Sequence, residues 1–148
     1  GPKNVMDSSF RKNGFIDHIY EKPSLNLSWS FDGDFTSESG SRAFIDFKRR
    51  GLKNVAIFGC NDHSCFGFMK AANEHGYKIP EDFIIAGYDN LSFCESITPE
   101  LTSISTDFGS LGNQVIQTVE NMISKKKEII GKVSMIPVKI IIRKSTKT

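Results

Sequence analysis

Cysteine is scarce in this chain, tryptophan scarcer, and no apolar run is long enough to cross a bilayer. The three cysteines, Cys60, Cys65 and Cys94, are an odd number without the spacing of a small disulfide-stapled secreted domain. A reduced, cytoplasmic compartment is therefore expected. The longest apolar stretch, residues 136–142, contains Pro137 and Lys139, and a spanning helix needs about 20 residues. The N-terminus is polar and offers no apolar h-region, so no secretory leader is read there. An excess of one charge is lacking too. Lys and Arg number 19 against 17 Asp and Glu, a net charge of +2. With a pI near 8.4, the chain falls below the pI of about 9 usual for an electrostatic nucleic-acid footprint. Lys125-Lys126-Lys127, and then Arg143, Lys144 and Lys147, read as a solvated helix end and a solvated tail. This segment is not expected to hold DNA itself.

Several catalytic signatures are absent or incomplete. Gly33, Gly40, Gly59 and Gly67 form neither a dinucleotide fingerprint nor a phosphate loop. Asp107-Phe108-Gly109 has no kinase catalytic loop to accompany it. Ser110 lacks a nucleophile-elbow pattern and a His/Asp pair to activate it. Cys60, His63 and Cys65 fit no common zinc spacing and lack a fourth ligand. Asn26-Leu27-Ser28 and Asn90-Leu91-Ser92 fit the glycosylation sequon, which matters only in a secreted protein. No enzyme, metal or cofactor is read from these residues.

What is present is a strand–helix alternation. The 148 residues, 39% hydrophobic and 24% charged, suit one compact domain. Residues 8–21 predict an amphipathic helix stopped near Pro23, with Phe10, Phe15, Ile16 and Ile19 on its buried side. Leu25, Leu27, Trp29 and Phe31 alternate with polar residues, which predicts a strand. Thr36-Ser37-Glu38 then starts a helix, with Ala43, Phe44 and Phe47 at helical spacing and Gly51 as its end. Residues 54–59 are a continuous apolar strand. Asn61-Asp62 caps a second helix that carries Phe66 and Phe68 and stops at Gly76. A third strand spans 83–86. An extended piece follows at 102–105, a long helix at 108–124 and a last strand at about 133–142. His18 and His75 read as helix-surface residues. The alternation predicts an α/β fold with a parallel sheet covered on both faces.

In such a sheet a ligand sits beyond the carboxyl ends of the strands. The loops there hold Asp34-Phe35, Asn61-Asp62 and Asp89-Asn90, and residues 6–11 join the same rim if a strand precedes residue 1. Asp89 can accept two hydroxyl hydrogen bonds and Arg11 can donate several. Asn61 does both, and Phe35 offers a flat apolar face. Each has a plainer reading: an aspartate after a strand is commonly a turn residue, and Asn61 could be only a cap.

The same stretches resemble the LacI/GalR family of transcription regulators. Val55-Ala56-Ile57-Phe58-Gly59-Cys60-Asn61-Asp62 is similar to its strand ending in Asn-Asp. Ile79-Pro80-Glu81-Asp82 through Ala86-Gly87-Tyr88-Asp89-Asn90 and Thr98-Pro99-Glu100-Leu101-Thr102 resemble two further family segments. Arg11 with Gly14-Phe15, Gly33-Asp34-Phe35 through Gly40, and Pro137-Val138 through Arg143-Lys144-Ser145-Thr146 complete the likeness. The resemblance implies the C-terminal subdomain of a periplasmic-binding-protein-like (type I) effector domain, truncated at its N-terminal side. Arg11, Phe35, Asn61 and Asp89 then match effector contacts, with Thr106 a weaker match and Phe108 weaker still. Residues 1–105 and 132–148 would form the subdomain. Residues 106–131 would cross to an N-terminal subdomain outside this sequence. The helix at 108–124 is then expected to dock on a neighbouring chain or on an apolar face of its own, or else to move.

The implied function is sensing of a sugar- or nucleoside-like effector in a homodimer that meets operator DNA only through a separate helix-turn-helix. Two rivals remain at this stage. A sugar-transport solute-binding protein would share the fold. An enzyme on a related α/β scaffold would need the nucleotide loop and acid–base pair that are missing.

Overall fold

The computed structural model describes residues 1–125 and 133–147. Among the described residues four helices and four strands follow in the order α1 (Met6–Tyr20), α2 (Ser37–Arg49), β1 (Val55–Phe58), α3 (Asp62–Glu74), β2 (Phe83–Tyr88), β3 (Thr102–Thr106), α4 (Phe108–Lys125) and β4 (Val138–Ile141). Short 3-10 turns occupy Ser92–Glu95 and Lys144–Thr146. The sheet order is β1-β2-β3-β4. The first two pairings are parallel, with Val55 opposite Phe83 and Ala86 opposite Thr102, and β4 is antiparallel to β3. The fold is thus α/β with a parallel-dominated sheet.

The capping signals act where the sequence puts them. Thr36 accepts from the Ser39 amide to open α2, and Asn61 accepts from the Ser64 amide to open α3. The helices α2 and α3 cross closely because glycine sits on each side of the contact. A methyl on Gly40 would strike the Ser64 carbonyl, and one on Gly67 would strike that of Ser37. Phe44 and Phe47 of α2 and Phe68 of α3 pack edge-on among themselves, and Phe83 of β2 meets Phe47 at 5.6 Å and Phe68 at 5.5 Å. Each such ring buried from water contributes about 1.5–3 kcal/mol.

Four expectations need correction. Burial alternates strictly along β2, so the helix-facing side is closed while the opposite side is only partly covered. The expected cover on both faces is met on one. Secondly, residues 25–31 are extended but belong to no ladder. Their side chains are seated, with Trp29 against Phe47 and Phe68 and its indole N–H bonded to Asp46. A cavity of about 430 Å3, lined by Phe15, Ile19, Leu27, Trp29 and Val55 among others, separates this stretch from β1. No strand pairs with it among the described residues, and a segment without a ladder partner is not a strand. Thirdly, α1 buries Ile19, whereas Phe10 is 69% exposed and Phe15 touches mainly Phe58. No other element packs extensively on α1, so its apolar side has little to bury against.

The fourth correction concerns the C-terminus. Arg143 is not part of a solvated tail. It is buried, and its guanidinium donates to the Leu101 carbonyl (2.8 Å), Asn90 Oδ1 (2.8 Å) and Glu95 Oε1 (2.9 Å). Lys144 pairs with Glu100 at the surface. Ser145 is fully buried, donating to the Ile85 carbonyl and accepting from the Thr102 amide. Lys126, Lys127 and the expected boundary at residues 131–132 lie outside the described residues. The last strand is shorter than expected, beginning at Val138.

Candidate ligand-binding site

Three strand ends and one helix converge at the carboxyl edge of the sheet. Arg11 projects from α1 and donates through Nη1 to the Cys60 carbonyl, just past β1, at 2.8 Å. The same nitrogen lies 3.1 Å from Asp89 Oδ1, just past β2. The guanidinium rests on the ring of Tyr88, the last residue of β2, 3.9 Å from its centroid. Both charged side chains are partly covered, at 21% and 29% exposure. Burial pushes the Asp89 carboxyl above its ordinary value, and the nearby Arg11 charge opposes that shift. The pair is therefore shielded enough to matter and open enough to be reached.

Asp89 and Asn90 both carry left-handed backbone, at φ 112° and 52°. Aspartate and asparagine tolerate that region better than other side chains. The conformation turns the chain sharply off β2 and brings Asp89 back toward Arg11. The Asp89 amide is fixed by the Ile104 carbonyl at 2.9 Å.

Asn61 and Phe35 form a second linked pair. Asn61 Nδ2 donates to the Phe35 carbonyl at 2.8 Å while Oδ1 caps α3. The plain cap role therefore holds for Asn61, with a tie to Phe35 added. Phe35 is left-handed at φ 69°, and its ring lies beside Gly1. Its neighbour Asp34 is a loop-fixing group. Hydrogen bonds from Thr36, aided by Arg42, hold its carboxyl at about 2. Because Asn61 directly follows Cys60, whose carbonyl binds Arg11, the two pairs share one rim. Thr106 ends β3 opposite Val138 and makes no hydrogen bond to the other four among the described residues. Phe108 stands 67% exposed at the start of α4.

The sequence named Asp62 on the rim and Tyr88 and Arg143 within family-like segments, but it gave no supporting role to Tyr88, which seats Arg11, or to the polar set of Asp62, Ser103 and Arg143 behind the loop. Neither the segment around Tyr88 nor the one around Arg143 says which side chains it will meet. Only the tertiary fold brings them to the site.

The sequence profile of the periplasmic binding protein-like domain family matches residues 4–146. The chain belongs to that family. It is 33% identical over 137 residues to the NTD biosynthesis operon regulator NtdR of Bacillus subtilis, covering 92% of this chain and 42% of NtdR. A LacI-family transcriptional regulator from Enterococcus faecalis, solved with bound ribose, superposes with a TM-score of 0.80 at 28% identity, over 98% of this chain and 52% of the other. A dimeric lac repressor with an 11-residue C-terminal deletion superposes with a TM-score of 0.88 at 25% identity, over 99% and 53%. Within the family, the likeness is to the effector-binding core of LacI-type regulators. This chain spans about half the length of the proteins it matches.

Proposed function

We propose that the chain forms one wall of the sensing cleft of a bacterial LacI-family transcription regulator, and that the cleft takes a sugar- or nucleoside-like effector. The observation that carries this reading is the half-open Arg11–Asp89 pair laid on Tyr88 at the carboxyl edge of a parallel sheet. Both contacts of Arg11 use Nη1. Nη2 and Nε of Arg11, and Oδ2 of Asp89, have no hydrogen-bond partner among the described residues. A diol can accept from the first set and donate to the second, a chemistry that orients a sugar ring. Phe35 supplies an apolar face at the same rim, Asn61 holds Phe35 in place, and Thr106 adds a hydroxyl at the end of β3.

In this reading the remaining wall comes from the other subdomain of the intact protein. The segment 106–131 crosses to it, so the apolar stripe of α4 is covered there. Effector binding then favours one closure of the two halves by its differential affinity, and that closure alters operator binding by a separate helix-turn-helix in a cytoplasmic homodimer. Relatives that are regulators support this over a transport solute-binding protein.

The test is a thermal-shift screen of the full-length protein against sugars, sugar phosphates, nucleosides and purines, with D-ribose as the first probe because a similar regulator was solved with it. A ligand at 100 times its Kd stabilises by about 2.7 kcal/mol, a shift of several degrees. The expected result is a shift that disappears in Asp89→Ala. Equal shifts in both proteins would place the ligand elsewhere and sink the assignment of the rim.

A further inference from the structure

Asp62 is the only acidic side chain fully shielded from solvent among the described residues. It opens α3 beside Asn61, and no cation pairs with it among the described residues. Its partners are neutral. Oδ2 accepts from the Leu91 amide at 2.8 Å and lies 3.2 Å from Cys94 Sγ, while Oδ1 accepts from the Ser103 hydroxyl at 2.6 Å. Ser103 Oγ in turn accepts from the Asn90 amide at 3.0 Å. A methyl on Gly87 would collide with Asp62 Oδ1, so β2 leaves the space that the carboxylate fills.

Burying a carboxylate without a cation is unfavourable, and for stability alone a well-packed apolar side chain would often serve as well or better. What this one does is local. The three consecutive amides of Asp89, Asn90 and Leu91 are all held, the second and third through Asp62. Those ties fall on the loop whose left-handed backbone most needs outside support. The other end of the tie is the first turn of the helix that Asn61 caps.

We infer that Asp62 is the positioning residue of the ligand-binding loop, fixing Asp89 opposite Arg11 and fastening that loop to the start of α3. The inference rests on the proposed role of Asp89 in ligand binding, but the hold on the loop is measurable without any ligand. Asn61 and Asp89 then move as one body, so a contact made at either is felt at the other.

The experiment uses the full-length protein and Asp62→Asn, which keeps the shape but turns one acceptor into a donor facing Leu91 N–H or Ser103. Amide hydrogen exchange is followed without ligand, and D-ribose binding is followed by calorimetry. The expected result is that the Asn90 and Leu91 amides exchange at least tenfold faster while those of β2 and the middle of α3 keep their rates. The D-ribose Kd should rise about tenfold. Unchanged exchange at Asn90 and Leu91 overturns the inference, and so does an equal acceleration throughout the domain, the mark of a residue that only stabilises. D-ribose binding that ignores Asp89→Ala, or is absent in the unmodified protein, counts against the proposed site, while the exchange pattern still decides the role of Asp62. If Asp62→Asn does not fold, Ser103→Ala removes the Oδ1 tie together with the acceptor of the Asn90 amide, while the Leu91 tie to Oδ2 stays. It should still loosen the Asn90 amide selectively, and failure to do so overturns the inference.

Discussion

Asp89 and Asn61 each do two things, and the two roles separate under substitution. Burial raises the Asp89 pKa in the folded chain. An acid with a raised folded pKa contributes its stability below the unfolded value, and that stability is lost as pH rises through the folded one. Urea titrations of unliganded protein should therefore show the stability difference between wild type and Asp89→Asn shifting against wild type as pH rises from the ordinary value of 3.8. Ligand affinity should run the other way, falling on acidification as the acceptor takes a proton. A pH-independent difference in both quantities would mean that Asp89 is not the titrating group. For Asn61, the cap and the Phe35 tie use different atoms. Asn61→Ala loses both and should cost about 0.5–2 kcal/mol in chemical denaturation. Asn61→Asp keeps the cap acceptor and should recover much of that loss while leaving the Phe35 loop slack. Equal losses in the two variants would show that the cap contributes little.

At the scale of elements, legibility tracked whether an element finds its partner within these residues. The helices α2 and α3 were readable because their caps, glycines and aromatic spacing agree and because they pack on each other. Residues 25–31 carry a period-2 pattern that the structure respects in its side chains and not in its hydrogen bonds, since pairing depends on a neighbour that no local pattern specifies. Asp89 could be placed on the rim from its position just past a strand, and Arg11 only on the condition of a preceding strand, whereas the contacts of Tyr88 and Arg143 depend on tertiary distance. The α4 helix is the clearest case. Its stripe of Leu111, Val115, Val119 and Met122 was legible, yet these residues are 40–54% exposed and no element packs extensively on them among the described residues. The 148-residue chain on its own should self-associate in sedimentation at micromolar concentration, and Val119→Glu should shift it toward monomer. A monomer at all concentrations with strongly protected α4 amides would refute this.

Considered whole, the molecule is fastened from its far end. Arg143 reaches back 53 residues to Asn90 and 42 to Leu101, and Ser145 reaches 60 to Ile85. The bond to Asn90 holds the same turn that Asp62 holds from the other side. During synthesis the aromatic core of α2, α3 and β2 is complete long before Arg143 leaves the ribosome. A chain cut before Arg143 should keep that core and lose the brace on the turn after β2, read as faster amide exchange at Asn90 with α2 and α3 unchanged. The geometry of the turn after β2 thus depends on a side chain 53 positions further along the sequence.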